Sequence, residues 1–78
     1  MVTIPHPRIS MNPQICHGKP VINGTRVLVA NILGALASGQ TRGEIIQDYP
    51  AITEQDIDAA LDFATQMAQF ETFDYAAA

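Results

Sequence analysis

The segment from Gly18 to Arg26 constrains this fold most, because an Asn-Gly pair stands there between short apolar and β-branched runs. Asn-Gly in this setting is the strongest short-range signal for a hairpin, since both central residues of a type I′ turn need positive φ. Gly18 and Pro20 mark a further bend just before it. We therefore predict a hairpin with Asn23 and Gly24 in its turn, and Gly18 and Pro20 as additional turn residues.

The residues before this hairpin predict extended chain. Pro5 and Pro7 disfavour helix in the residues that precede them, so residues 1–7 are expected to form an extended N-terminal lead-in. A short strand over residues 8–11, a turn at Asn12-Pro13 and a further extended stretch at Ile15-Cys16 follow. The N-terminal part should therefore contain two or three very short strands.

From Val29 onward the apolar residues recur with a helical period. Ile32, Leu33, Leu36 and Ala37 share one helical face, and Gly39 is placed to end this first helix in the left-handed conformation. A second, short helix over residues 42–48 should start at a capping box, in which the side chain of Thr41 is paired with Glu44. Pro50 should stop that helix.

A third helix should begin after Thr53, whose spacing to Asp56 is a weaker form of the same cap, and reach about Gln69. Its apolar stripe is expected to form core or a dimer seam, with Phe63 and Phe70 also packing: Ile57, Ala60, Leu61, Ala64, Met67 and Ala68. The predicted fold is mostly α with a short N-terminal β-hairpin, a three-helix helix-turn-helix-like (homeodomain-like) domain over residues 8–70. Residues 71–78 are predicted to form a C-terminal tail.

Charge is segregated along the chain. The 78 residues carry a net charge of -4, yet Arg8, Lys19, Arg26 and Arg42 all precede the first acid, so residues 1–43 carry +4 and the remainder -8. This pattern indicates a weakly basic hairpin end and an acidic helical end, although chance bias in a small domain gives the same pattern. A chain of this size has room for one modest core, which favours a homodimer.

Together these motifs resemble the family called domain of unknown function 433, which comprises small prokaryotic proteins. Its pattern runs Gly-x-Pro-x-Ile-x-Gly-Thr-Arg, then a helix ending in glycine, then Tyr-Pro before a last helix. Gly18 to Arg26, Val29 to Gly39, and Tyr49-Pro50 with residues 53–57 supply these parts, and the resemblance covers about residues 8–66. It implies a helix-turn-helix-like fold and an antitoxin role beside a nuclease-like toxin.

The sequence offers little support for chemistry at a metal, a cofactor or a nucleophile. Cys16 and His17 have no second cysteine pair nearby, and adjacent residues in an extended segment point to opposite faces. Gly18-Lys19 lacks the upstream glycine of a phosphate-binding loop, and Pro20 replaces its hydroxyl residue. We therefore expect no metal, no cofactor and no enzymatic activity.

A DNA-reading third helix is also disfavoured, because its first turns carry acids and the helix has no cation. DNA contacts would have to come from the arginines and Lys19 of a dimer. The lone Cys16 excludes an intrachain disulfide, and the absence of a signal peptide or of about 18 consecutive apolar residues leads us to expect a cytoplasmic protein with no membrane contact.

The favoured hypothesis is a non-enzymatic protein-interaction module that resembles an antitoxin and neutralises a nuclease-like toxin. Its partner-binding residues are expected to be Arg26, Lys19, Arg8 and Thr25, with Arg26 entering or rimming a carboxylate-lined metal site of the toxin. The alternative is a dimeric DNA-binding transcriptional regulator, and an antitoxin can also bind operator DNA. Arg26 has an alternative role of its own, as an internal clamp to Asp48 or Asp56.

Overall fold

Three helices follow a two-stranded antiparallel hairpin in the residues that this computed structural model describes, 6–70. Strand β1 comprises Ile9–Ser10 and strand β2 Val21–Ile22. Helices α1, α2 and α3 span Val29–Ala37, Arg42–Asp48 and Glu54–Phe70. The first five residues of the predicted lead-in, and the predicted tail at 71–78, lie outside the described residues.

The hairpin is held by pairing that continues beyond the two short strands. Ile9 lies opposite Ile22, and Ser10 lies opposite Val21. The Asn23 backbone N–H then donates to the Arg8 carbonyl oxygen at 2.7 Å, and its side-chain amide donates to the carbonyl oxygen of Pro7 at 3.3 Å. Asn23 therefore fastens the two arms together as well as entering the turn.

The Asn-Gly turn lies where it was predicted, but it follows β2 and does not join the two strands, which residues 11–20 connect. Beyond the turn the chain makes an isolated bridge, Val21 to Leu28, rather than a second strand of a hairpin.

The type of the turn also differs from the prediction. The Thr25 N–H donates to the Ile22 carbonyl at 2.9 Å, and Gly24 has φ +80°, whereas Asn23 is not among the described residues with positive φ. Positive φ at the second central residue alone is the pattern of a type II turn, so the prediction of type I′ is wrong. The Thr25 hydroxyl explains the difference, because it donates to the Ile22 carbonyl and accepts from Val27 N–H. Pairing resumes directly beyond it, where the Ile22 N–H donates to the Val27 carbonyl at 2.9 Å and Val21 lies opposite Leu28.

The prediction of extended chain at Cys16 is wrong. Cys16, His17 and Gly18 form a single tight turn with φ values of +51°, +58° and +81°. Between β1 and β2 the chain reverses within residues 11–20, using the bond from Ile15 N–H to the Asn12 carbonyl and then this left-handed turn. Only glycine adopts such φ values readily, and each of the two non-glycine residues costs roughly 1–2 kcal/mol.

Helix α1 ends as predicted, at a glycine in the left-handed region. Gly39 has φ +96°, and its N–H donates to the Leu36 carbonyl at 3.1 Å. The N–H of Gln40 reaches back to the Ala35 carbonyl, also at 3.1 Å. These two bonds form a Schellman motif, which satisfies carbonyl groups that the end of a helix leaves without partners.

Helix α2 has the predicted bounds and the predicted capping box. The Thr41 side chain accepts from Glu44 N–H at 3.1 Å, and the Glu44 carboxylate accepts from Thr41 N–H at 2.8 Å. The related cap on α3 is also present, because the Asp56 carboxylate accepts from Thr53 N–H at 2.9 Å. Both helix starts are thus fixed by local side-chain chemistry.

The core lies where the hairpin meets all three helices. Its most deeply buried side chains are Val21, Ile22, Val29, Ile32, Ile45 and Ile57. The apolar stripe predicted on α3 divides: Ile57 and Ala60 are buried, but Leu61 and Met67 are 39% and 42% exposed. Phe63 packs against the core instead, and the proposed dimer seam stays a prediction.

The predicted mostly helical fold with three helices and a short N-terminal hairpin is confirmed. Its assignment to the helix-turn-helix class stays a prediction. Within residues 6–70, none of the helices combines the length and the apolar character that crossing a bilayer requires.

Candidate functional site

An open groove of about 950 Å³ lies where the Asn-Gly turn faces the connection between α2 and α3. The polar residues that line it are Ser10, Asn12, Asn23, Thr25, Arg26 and Asn31. Ile15, Val27, Tyr49 and Ala51 supply apolar surface, and Gly24 completes the lining. The groove therefore offers both apolar contact and several hydrogen-bonding groups.

Arg26 is an exposed residue on the rim of this groove, at the end of the Asn-Gly turn. No acid within residues 6–70 forms an ion pair with its guanidinium. The turn that carries it is stiff, because the Thr25 hydroxyl bonds to backbone groups on both sides at 2.8 and 3.0 Å. The backbone at Arg26 is thus fixed by the turn, and its planar guanidinium is available to donate hydrogen bonds to a ligand.

The groove differs in charge from the protein as a whole. The chain carries -4, yet Arg26 is joined by no acid among the eleven residues that line the groove in the described structure. Attraction between unit charges falls with distance and is screened by salt beyond roughly 10 Å, so the nearest charges decide what an entering group meets. An entering anion therefore meets a local cation.

The internal clamp that was considered for Arg26 is made by Arg8 instead. Arg8 Nη1 donates to Asp56 Oδ1 at 3.0 Å, and the side chains are 47% and 9% exposed. Asp48, the other acid considered, accepts from the Gln40 side chain at 3.1 Å. This clamp ties the hairpin to the start of α3, and the predicted role of Arg8 in partner binding stays a prediction.

Of the two remaining cations, Arg42 is paired with an acid and Lys19 is not paired with any described acid. Arg42 Nη1 lies 2.7 Å from Asp58 Oδ1, and both side chains are partly exposed. Lys19 is exposed and forms no ion pair with a described acid. Two of the four cations thus join the basic first half of the chain to its acidic second half, which leaves Arg26 and Lys19 as the basic character of the hairpin end.

The predicted turn residues have clear structural tasks. Gly24 supplies the positive φ of the turn, and Gly18 supplies that of the preceding left-handed turn. The Pro20 carbonyl accepts from Val29 N–H at 3.0 Å, which fastens the start of α1 to the hairpin. Because the Thr25 hydroxyl is bonded within the turn, its predicted contact with a partner stays a prediction.

Most residues of the groove lining are outside the predicted site, and Asn31 and Tyr49 are the two that come from elements beyond the Asn-Gly turn and carry a polar group. Asn31 is exposed on the first turn of α1, and Tyr49 is half-buried directly after α2. Neither side chain makes a hydrogen bond within the described part of the chain. Asn31 is the polar residue of the segment Val29–Ala37, and this was a signal that sequence reasoning could have used.

The titratable side chains of the described residues are dispersed. No group of three or more His, Cys, Asp or Glu residues there is placed to hold a metal ion. Cys16 Sγ lies 3.9 Å from the Arg26 carbonyl oxygen, and His6 Nε2 lies 3.5 Å from Asp62 Oδ2. Among the exposed residues in the first turns of α3 are Glu54, Asp58 and Asp62, a surface that repels DNA phosphates.

Comparison with known proteins gives two matches. The model of a family described as "Protein of unknown function (DUF433)" matches residues 9–64. The crystal structure of a DUF433 member protein from Anabaena variabilis superposes with a TM-score of 0.73 at 27% identity, covering 80% of this chain. The chain spans 61% of the length of that protein. No curated protein matches it.

Proposed function

This chain belongs to the DUF433 family of proteins of unknown function, and on that premise we propose that it is a non-enzymatic protein-interaction module of antitoxin type. Its partner is a nuclease-like toxin, and the binding surface is the groove beside the Asn-Gly turn. The observation that carries the proposal is Arg26, an exposed arginine on the groove rim that forms no ion pair within residues 6–70.

The contrast with the other two arginines supports this assignment. Arg8 and Arg42 are joined to Asp56 and Asp58, so their charges already serve the fold. Arg26 forms no ion pair with an acid of residues 6–70, so its donor fork can bind a carboxylate of another protein. Such charge-assisted bonds are about twice as strong as neutral hydrogen bonds. Lys19 adds long-range attraction to an acidic surface, which raises the rate of association.

The proposed partner class follows from the resemblance to the family together with this charge. A nuclease-like toxin has a metal site lined by carboxylates, and those carboxylates are the groups that Arg26 would bind. Two acids among the described residues are in structural use, since Asp56 caps α3 and Asp58 pairs with Arg42. This use of the carboxylates supports a binding role rather than catalysis.

The alternative function, a dimeric transcriptional regulator that binds operator DNA, has weaker support. Exposed acids occupy the first turns of α3, and the Arg42 cation beside them is paired with Asp58. A DNA-binding surface depends on several cations, and within residues 6–70 Arg26 and Lys19 are the two that form no ion pair. A homodimer would double that number.

The test is an affinity pull-down with the tagged 78-residue chain from a lysate of the source organism at physiological salt, with nucleic acid digested in half of the sample. Three forms are compared: wild type, Arg26→Ala and Arg42→Ala. We expect a small nuclease-like protein that survives digestion, is retained by Arg42→Ala, and is lost with Arg26→Ala. Wild type and Arg42→Ala should inhibit the nuclease activity of the captured protein, and Arg26→Ala should not.

Two results would overturn the proposal. Recovery of nucleic acid only, lost on digestion, would favour the regulator. Capture and inhibition of a nuclease that are the same for wild type and Arg26→Ala would remove Arg26 from the mechanism. The control is matched because both variants remove one partly or fully exposed arginine and change the net charge equally.

A further inference from the structure

We propose that the groove takes one particular kind of occupant, a segment of a protein partner in which a carboxylate side chain stands beside an apolar side chain. This inference rests on the proposed function, since it states what part of the partner the groove receives. It assigns two further specificity-determining residues, Asn31 and Tyr49, that the hairpin alone does not include.

First, several side-chain donors in the groove make no hydrogen bond within the described structure. Arg26, Asn31 and Tyr49 all line the groove, and within residues 6–70 their side chains make no hydrogen bond. They come from three elements, namely the turn, α1 and the segment after α2. The Ser10 hydroxyl of β1 also lines the groove and makes no hydrogen bond within residues 6–70. Such donors, in a lining whose described residues include no acid, are complementary to a carboxylate and to the backbone carbonyls beside it.

The second step is the apolar part of the lining. Ile15, Val27 and Ala51 join the ring of Tyr49 in the same groove, so an occupant gains most if it also buries an apolar side chain there. The volume of about 950 Å³ is near the upper end of the range typical of ligand pockets, roughly 300–1,000 Å³. The groove therefore has room for several side chains rather than for a lone ion.

The third step separates a protein segment from a single-stranded nucleic acid. A nucleic acid brings one phosphate with each nucleotide, and binding grooves for it track the backbone with a series of cations. Among the described residues that line this groove, Arg26 is the sole cation. A polypeptide with one carboxylate matches that single charge, whereas a polyanion does not.

The groove is also formed before any partner arrives. Gly24, the Thr25 hydroxyl and the Asn23 side chain fix the turn on one side through local hydrogen bonds. On the other side, Tyr49 packs against the core, and its carbonyl accepts from Ile52 N–H at 3.1 Å. A preformed site avoids the entropy cost of ordering loops on binding, so even a short peptide should register there.

The experiment is a titration of the ¹⁵N-labelled full chain with a pool of capped hexapeptides, each with one glutamate flanked by leucine, valine or phenylalanine. A matched pool replaces each glutamate with glutamine. We expect saturable chemical-shift changes at the amides of Arg26, Asn31 and Tyr49. Binding should weaken about tenfold or more with the glutamine pool or in Arg26→Ala, which is the loss of one charge-assisted hydrogen bond.

Two variants and one further probe complete the design. Arg42→Ala should bind the glutamate pool within about twofold of wild type, since its guanidinium lies outside the groove. Asn31→Ala should weaken binding several-fold without a change in thermal stability, because its exposed side chain makes no bond within the described structure. An oligothymidylate is titrated in parallel and should leave the groove amides unchanged.

The inference is wrong if the glutamine pool binds as well as the glutamate pool, if the oligothymidylate perturbs the groove instead, or if neither pool saturates. Its failure is distinguishable from failure of the proposed function. If a nuclease is captured in an Arg26-dependent manner but no peptide binds, the antitoxin role is supported and the proposed occupant is wrong. If peptides bind but no nuclease is captured, the occupant is supported and the antitoxin role is wrong.

Discussion

Asp56→Ala should destabilise the protein more than any change to an exposed acid, because the Asp56 carboxylate makes two separate stabilising interactions. Its Oδ2 accepts from Thr53 N–H at 2.9 Å and caps α3, and its Oδ1 accepts from Arg8 at 3.0 Å. The residue is 7% exposed. Alanine would keep the weak bond from the residue 56 N–H to the Thr53 hydroxyl at 3.4 Å, but it would remove the carboxylate half of the cap and release the hairpin arm that carries Arg8.

The magnitude follows from the two bonds. Loss of a helix cap costs about 1 kcal/mol. A hydrogen bond between charged groups contributes about 1.5–3 kcal/mol, and the lower end applies here because Arg8 is 47% exposed and water can solvate it once Asp56 is gone. The expected sum is about 2–3 kcal/mol, against a total stability of roughly 4–12 kcal/mol for a chain of this length.

The assay is urea denaturation followed by circular dichroism, with Arg8→Ala, Asp56→Ala and the double variant forming a double-mutant cycle. We expect the double variant to be hardly less stable than Asp56→Ala, since Arg8 contributes to stability mainly through its bond to the Asp56 carboxylate. Asp58→Ala is the control, because its 65% exposed side chain pairs with Arg42 on the surface and should contribute less than about 1 kcal/mol. A loss below about 0.5 kcal/mol for Asp56→Ala, or the absence of coupling to Arg8, would refute this reasoning.

Four further substitutions can be measured by the same denaturation assay. Gly24→Ala should cost about 1–2 kcal/mol because φ is +80° there, whereas Gly34→Ala, in the middle of α1 with open space around it, should stabilise by about 0.5–1 kcal/mol. Thr41→Ala should cost about 1 kcal/mol through loss of the capping box on α2. Ile45→Ala should cost about 2–5 kcal/mol, since this side chain is fully buried in the core.

The helices could be predicted from the sequence because their ends are set by local chemistry. Thr41 with Glu44, Thr53 with Asp56 and Gly39 each act within a few residues, and the structure forms the cap at each of these places. Local signals of this kind do not depend on what the rest of the chain does. The position of the Asn-Gly turn was predictable for the same reason.

The errors arose where distant parts of the chain decide the conformation. Nothing local marks Cys16 and His17 for positive φ, and that conformation serves the reversal between two strands that pair eleven to thirteen residues apart. The type of the Asn-Gly turn was missed because the Thr25 side chain, rather than strand pairing, directs the following residues. Leu61 is 39% exposed although its spacing places it on the apolar stripe of α3, because periodicity shows which face is apolar but not how much of that face the other elements cover.

The candidate site was predictable in part. Arg26 stood out in the sequence as a cation that a turn does not need, but its competitor for the internal clamp, Arg8, could be identified only from the 3.0 Å contact with Asp56. Asn31 and Tyr49 lie 5 and 23 residues beyond Arg26, and only folding brings them to the same groove. A site assembled from separate elements leaves no spacing in the sequence by which to find it.

The most direct test of the central claim is the affinity of the captured protein partner for the Arg26→Ala chain, measured by isothermal titration calorimetry beside wild type and Arg42→Ala. The account predicts that Arg26→Ala weakens the complex at least about tenfold, while Arg42→Ala stays within about twofold of wild type. Equal affinities for all three chains would contradict the claim that Arg26 on the groove rim is what binds the partner.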